Sequence, residues 1–323
     1  MNLASIPRHP LGCLPTPIQH LPNLSKKLGI NLSIKRDDLT GLAAGGNKVR
    51  KLEYLVAEAR ELQSTTLITA GALQSNHVLQ TIAAARKSGM EAVAVLDGAR
   101  PEQFRGNLVF DQLLGARLEF LQSGRFVEDV VGYMDSRREQ LRLEGESPYV
   151  VPVGGSNALG ACGYVNCALE MAEQFEARRE PAPDYLVVAT GSVGTYAGLV
   201  VGCAQYWPDT KICGVVVTTN YFARRENVVS LVNQVAEKVA MDRRWDASEL
   251  WLDSDYIGPG YGIRSPAGDA AISLMAESEG IFLDPTYTGK VLSGLVGNVR
   301  AGRIPAGSST LFVHTGGATA LLS

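Results

Sequence analysis

Short apolar, β-branched runs alternate with amphipathic stretches along most of this chain. Asn31 to Lys35, Thr66 to Ala70, Glu91 to Leu96, Arg117 to Leu121 and Tyr149 to Val153 read as strands, and Tyr185 to Ala189, Ile212 to Val217 and Thr310 to His314 continue the series. Between them, Lys48 to Leu62 places Val49, Leu52, Leu55, Val56 and Ala59 on one helical face, and Val78 to Ser88, Gly106 to Leu114 and Gly160 to Gln174 read as further helices. Strands of about five apolar residues separated by helices are what a parallel sheet needs, because each crossover lays a helix over a sheet face. The predicted class is α/β. A length of 323 residues allows two open, mostly parallel sheets facing each other across a cleft. Ligands of such sheets sit beyond the carboxyl ends of the strands.

Composition narrows the function classes. Lys plus Arg is 30 and Asp plus Glu is 33, a net charge of −3, which excludes a strongly basic nucleic-acid footprint. No apolar run approaches the ~18 residues of a membrane span. Pro7, Pro10, Pro15 and Pro17 interrupt the first segment, which carries no apolar core of signal-peptide length. The expectation is a cytoplasmic protein without membrane or nucleic-acid partners. The 5 cysteines are an odd number without a CxxC pair, and the 4 histidines form no HExxH, so neither a metal site nor a disulfide framework is expected. The composition holds 34 glycines against 8 Phe and 3 Trp, which points to many sharp turns or close approaches of backbone to a ligand.

Three glycine-bearing loops could carry chemistry. Thr190-Gly-Ser-Val-Gly-Thr195 follows a strand and opens a helix, where unpaired N–H groups and the positive end of the helix dipole favour a phosphate. Its spacing is not the G-x-G-x-x-G of dinucleotide sites, and no ribose-binding acid follows, which argues against a nucleotide-dependent dehydrogenase. The alternative is an ordinary strand-to-helix turn. Gly45-Gly-Asn-Lys48 is not a nucleotide P-loop, since no Ser or Thr follows the lysine. A lysine at a helix start has its pKa lowered by dipole and burial, and a neutral ε-amine can condense with a carbonyl cofactor. Position alone favours the other reading, in which Lys48, like Arg50 and Lys51, lies on a solvated helix face. The loop Gln74-Ser-Asn-His77 offers Ser75, Asn76 and backbone N–H groups to a small carboxylate, or serves only as a helix cap. His77 and His314, isolated beside strands, read as structural.

Together these segments resemble the fold-type-II pyridoxal-phosphate enzymes, which share the tryptophan synthase β-like fold, and within them the family of 1-aminocyclopropane-1-carboxylate deaminase and D-cysteine desulfhydrase. The resemblance rests on Lys35-Arg-Asp-Asp38, Gly45 to Lys48 with Arg50-Lys-Leu-Glu53, Gln74 to His77, and Pro152-Val-Gly-Gly-Ser-Asn157. It continues through Thr190 to Thr195, Pro259-Gly-Tyr-Gly262, Asp284-Pro-Thr-Tyr-Thr-Gly-Lys290 and His314-Thr-Gly-Gly317, in family order over nearly the whole chain. It implies a large cofactor-binding domain of residues 1–49 and 163–323, a small domain of 50–162, and a homodimer. It further implies that Lys48 holds pyridoxal 5'-phosphate and acts as base, that Asn76 meets the phenolic oxygen of the cofactor, and that Gly191, Ser192, Val193, Gly194 and Thr195 cradle the phosphate. Gln74, Ser75, Asn76 and His77 would hold the substrate carboxylate, Ser75 with Tyr261 and Tyr287 would take part in catalysis, and Thr288 and Thr315 would lie near the ring nitrogen.

The two threonines bear on the reaction. The deaminases resemble one another in a Glu and Leu pair there, whereas the desulfhydrases carry Thr and Thr. A carboxylate strengthens the electron sink needed to break a C–C bond, while a hydroxyl suffices for expelling a good leaving group. The expected reaction is therefore α,β-elimination of a β-substituted alanine, D-cysteine first, giving pyruvate, ammonia and hydrogen sulfide. L-cysteate sulfo-lyases share the motifs, including Thr40 to Ala43 and Ser254-Asp-Tyr256, and stand as the alternative, followed by cyclopropane-carboxylate deamination and a non-catalytic pyridoxal-phosphate-binding protein. Val78-Leu-Gln80 departs from the family, which often carries Arg in that helix, so the sequence names no arginine for a sulfonate.

Overall fold

Parallel strands joined through helices dominate the computed structural model, which describes residues 1–220 and 223–322. The chain opens with β1 (Ile18–His20), α1 (Pro22–Leu28), β2 (Asn31–Arg36) and α2 (Lys48–Glu61). It continues with β3 (Thr66–Ala72), α3 (Asn76–Lys87), β4 (Glu91–Asp97), α4 (Asn107–Leu113), β5 (Arg117–Leu121), α5 (Phe126–Leu143) and β6 (Pro148–Val150). The remainder is α6 (Ala158–Arg178), β7 (Tyr185–Thr190), α7 (Gly194–Tyr206), β8 (Lys211–Val216), α8 (Arg225–Lys238), β9 (Trp251–Asp253), α9 (Pro266–Glu279), α10 (Thr288–Arg300) and β10 (Ser309–His314).

Two sheets result. One has six strands in the order β1-β2-β10-β7-β8-β9, parallel except for β1, and the other has four in the order β5-β4-β3-β6, all parallel. Both faces of the smaller sheet are covered. Along β3 and β4, Leu67, Ala92, Ala94 and Leu96 pack toward α2 and α3, while Ile68, Ala70, Val93 and Val95 meet Val130, Met134 and Leu141 of α5. The larger sheet is sandwiched likewise, with Leu32, Ile34, Val187 and Phe312 against α1, α9 and α10, and Leu186, Val188, Leu311 and Val313 toward the α6–α7–α8 side. The near-continuous apolar runs of β3, β4 and β7 are thus read twice, once on each face.

Helix α6 joins α2 to α7, and its backbone approaches both closely. A methyl group on Gly163 would stand 2.1 Å from the Arg50 carbonyl oxygen, and one on Gly198 of α7 would stand 2.3 Å from that of Ala161. Buried charge holds the same place. Arg50 binds Asp37 through Nε and Nη2 (both 2.8 Å) and Glu170 through Nη1 (2.8 Å), while Lys35 reaches Glu170 and Tyr164 donates to Asp37.

The strand expected at Tyr149 to Val153 ends at Val150. Pro152 lacks an N–H for the ladder, and Gly154 and Gly155 turn the chain through φ values of 70° and 61°. The solvated-face reading fails for Arg50 and Lys51, which are both buried, the first in its ion cluster and the second donating to Ser156 Oγ at 3.1 Å. Among the described residues no group of His, Cys, Asp and Glu could hold a metal ion, and no helix is long and apolar enough to cross a membrane.

Candidate active site

The carboxyl ends of strands from both sheets meet around one cavity. The loops after β3 and β4, the segments before α5 and α6, and the loops after β7, β8 and β10 contribute Ser75, Asn76, Asp97, Phe126, Gly154, Gly191, Ser192, Thr218 and Thr315 to its wall. Lys48, the first residue of α2, enters from beneath.

Lys48 is positioned by its neighbours. Gly45 has φ +71°, and a methyl group there would fall 2.1 Å from the Asp38 carbonyl oxygen, so the tight turn before α2 requires glycine. Gln80 pins that turn from α3, donating to Gly45 O (2.9 Å) and accepting from Val49 N (3.1 Å). Asn47 accepts from Lys48 Nζ at 2.9 Å and donates to Thr195 Oγ1 at 2.8 Å, which ties the amine to the loop opening α7. Burial pulls the Lys48 amine down to about 8, with Asp284 opposing the shift. A share of neutral amine is therefore present near physiological pH.

The loop before α7 is built for an anion. Val193 adopts φ 72°, a conformation that a β-branched residue rarely takes, and so turns the chain into α7. Ser156 Oγ donates to Ser192 Oγ (3.0 Å) and accepts from Gly194 N (3.3 Å), with the buried Lys51 behind it. A methyl group on Gly154 would stand 2.1 Å from Ser192 Oγ, so glycine is needed where the two loops touch. N–H groups at a helix start suit a phosphate, and the Lys51 amine behind them, which burial and Lys48 hold well below its ordinary range, would gain its proton beside one.

On the opposite side, Ser75 is the N-cap of α3, its Oγ accepting from Val78 N at 3.2 Å. Asp284 organises the start of α10. It accepts from the backbone N–H groups of Thr286 (2.9 Å), Tyr287 (2.8 Å) and Thr288 (2.7 Å). Tyr287 and the exposed Tyr261 hydrogen-bond through their hydroxyls at the cavity, and the Tyr287 ring centroid lies 6.0 Å from Lys48 Nζ. Burial and the neighbouring Tyr261 hold the Tyr287 phenol well above its ordinary range, so it keeps its proton.

Most of the expected residues converge here. Lys48, Ser75, Asn76, His77, Gly191, Ser192, Val193, Thr195, Tyr261, Tyr287 and Thr315 line the cavity. Gln74, Gly194 and Thr288 do not. Gln74 turns to the Arg105 carbonyl (3.0 Å) and the Asn107 N–H (2.8 Å), and Gly194 points its N–H at Ser156 behind the loop. Thr288 is buried, its hydroxyl donating to Asp284 Oδ1 at 2.7 Å and accepting from Asp284 N at 2.8 Å, so the first threonine of the expected pair is spent on structure. His77 reaches the wall, but its ring nitrogens face the Thr69 (2.7 Å) and Thr81 (3.4 Å) hydroxyls, and burial holds it neutral, in keeping with a structural histidine. The sequence reading missed Asp97, Phe126, Thr218 and Asn220, which lie outside the glycine loops, and Asn47, which lies inside one beside the lysine and was within reach.

The family profile of pyridoxal-phosphate dependent enzymes matches residues 10–316. The chain belongs to that family. It is 44% identical over 327 aligned residues to a D-cysteine desulfhydrase of Klebsiella pneumoniae subsp. pneumoniae, covering 100% of this chain and 97% of that one. To a D-cysteine desulfhydrase of Salmonella paratyphi B it is 42% identical with the same coverage. Among solved structures, one described as an ACC deaminase homologue superposes with a TM-score of 0.91 at 38% identity, over 99% of this chain and 94% of that one. A threonine deaminase from Solanum lycopersicum, 18% identical with a TM-score of 0.66 over 94% of this chain and 79% of that one, shares the fold.

Pyridoxal phosphate is the cofactor of this family, and the cavity fits it. A depressed lysine amine suits its aldehyde, and the Gly191 to Thr195 loop, backed by Ser156 and Lys51, suits its phosphate. The Thr190 hydroxyl at the root of that loop is buried without a hydrogen-bond partner among the described residues.

Proposed function

We propose that this pyridoxal-phosphate enzyme catalyses α,β-elimination from a β-substituted alanine, D-cysteine in preference, releasing pyruvate, ammonia and hydrogen sulfide. The carrying observation is the composition of one cavity wall: Lys48, Ser75 and the Tyr261–Tyr287 pair meet there, and Lys48 is the only lysine or arginine among the described lining residues. When bound, the cofactor supplies a carbonyl for the substrate amine and a ring that accepts the electron pair left on the α-carbon. Lys48 Nζ takes the α-proton. Ser75 Oγ has one lone pair engaged by Val78 N, which leaves its O–H for the substrate carboxylate. Tyr287, kept protonated and bonded to Tyr261, donates to the departing sulfur.

The same wall disfavours cysteate. A sulfonate is best held by a bidentate arginine, and the described wall has none and adds the carboxylate of Asp97. Thr288 and Thr315 stand where the resemblance gives the deaminases Glu and Leu, so a hydroxyl at Thr288 replaces the acid, which favours elimination over ring opening. The names of the desulfhydrase relatives point the same way. The domain division at residues 1–49 with 163–323 and 50–162 follows the two sheets, whose strands fall on opposite sides of those limits. Homodimeric assembly and a cytoplasmic location complete the proposal, and light scattering on the purified protein tests the first.

The deciding experiment is pyruvate release from D-cysteine, L-cysteine, L-cysteate and the cyclopropane acid. D-cysteine is expected to be the fastest, and Lys48→Ala to lose turnover together with borohydride fixation of the cofactor. Faster release from cysteate, or a Lys48→Ala enzyme that still turns over, overturns the assignment.

A further inference from the structure

We infer that Asn107, outside the cavity wall, is a positioning residue that fixes the Asn76 carboxamide with its NH2 group toward the cofactor. The inference rests on Asn76 meeting the cofactor's ring oxygen. Its starting point is a backbone carbonyl, which can only accept a hydrogen bond. Asn107 is 1% exposed and sits at the start of α4, and the side-chain atom facing Gln74 O at 3.0 Å must be its NH2. That same nitrogen lies 2.9 Å from the Asn76 side chain, so the atom of Asn76 facing it must be Oδ1. The Asn76 NH2 is thereby turned the other way, where a methyl group on Gly317 would lie 2.9 Å from it. No hydrogen bond joins this NH2 to another described residue, although Asn76 lines the cavity that holds Lys48.

Asn107 is itself held on every polar atom that matters here. Its backbone N–H donates to Gln74 Oε1 at 2.8 Å, and its Oδ1 accepts from Thr319 Oγ1 at 2.9 Å. Thr319 follows β10 of the six-stranded sheet, whereas Asn107 precedes β5 of the four-stranded one, so the clamp closes across the cleft. This gives Gln74 a different use from the one its sequence position suggested: it anchors the residue that orients Asn76. An NH2 group aimed at the cofactor's ring oxygen favours the ionised oxygen and lowers the pH at which the cofactor's visible absorbance band converts.

Asn107→Asp tests the inference in the holoenzyme. A carboxylate only accepts, so Asn76 must turn its NH2 back to meet it and present Oδ1 to the cofactor. The conversion midpoint of the visible band is expected to rise by about one pH unit. In an Asn76→Ala background the same substitution is expected to produce no further rise. An unmoved midpoint in Asn107→Asp, with Asn76→Ala displaced, overturns the inference, as does a rise that persists in full without Asn76. If Asn76→Ala itself leaves the midpoint in place, the contact between Asn76 and the ring oxygen is refuted and the inference falls with it. Thr319→Val releases one side of the clamp without touching the Asn76 contact. A smaller rise is expected there, and an unmoved midpoint counts against the clamp even if Asn107→Asp does not fold.

Discussion

Two buried ionisable side chains make opposite predictions for pH. Lys48 has its amine lowered to about 8 by burial, so cofactor capture by the cofactor-free protein, which requires a neutral amine, should accelerate about tenfold per pH unit up to that value and then level. Stopped-flow absorbance after mixing with pyridoxal phosphate checks this, and a rate still climbing toward pH 10 would mean an ordinary lysine. Asp111 of α4 is fully buried, and its carboxylate has no hydrogen-bond partner among the described residues, so burial raises it to about 7. Between about pH 4 and 7 the folded form keeps a proton that the unfolded form releases, so this residue makes stability fall as pH rises. Asp111→Asn should therefore stabilise the protein at pH 8 by on the order of 1–3 kcal/mol and change little at pH 4, which urea midpoints at the two pH values decide.

Helix α2 presents Lys48 from its first turn, and the same turn is clamped from behind by Asp37 and Glu170 on Arg50. Removing one partner of a buried pair leaves the other charge stranded, so Arg50→Met should cost about 3–5 kcal/mol in urea unfolding at neutral pH. Burial raises the Asp37 carboxyl, but Arg50 outweighs it and holds the group at about 2. The stability this pair adds is present above pH 4 and lost as pH falls toward 2, in wild type but not in Arg50→Met. Elements of this kind mark the limit of reading from sequence. Strands β3, β4 and β7 were legible as short continuous apolar runs, and helix α3 as the longer apolar stretch between two of them. Helix α5 was not, since only Val130, Met134 and Leu141 of its residues are buried, and the exposed Val131, Tyr133 and Leu143 blur its apolar face. The burial of Arg50 was equally hidden, because its carboxylates come from residues 37 and 170, far apart in the chain. Thr288 was recognisable as part of a motif, yet its direction depends on Asp284 closing the first turn of α10. The motifs located the cavity; the directions of single side chains were set by neighbours remote in sequence.

At the scale of the molecule, the site is a seam between two sheets, and neither alone carries both the lysine helix with its cradle and the Ser75–Asn76 loop. No disulfide staples the seam among the described residues: Cys162, Cys167, Cys203 and Cys213 are buried free thiols, and Cys13 is exposed. Burial raises Cys162 and Cys203 to about 12, and Cys167 and Cys213 further still, so all four stay protonated. An aromatic disulfide reagent at pH 8 should therefore titrate one thiol per native chain and all 5 after denaturation; rapid reaction of a second native thiol would contradict the burial. The molecule's cohesion is thus indifferent to the redox poise around it. If the proposed elimination sets sulfide free in this cleft, it does so beside a fold that has no cross-link to be reduced and whose four buried thiols stay protonated.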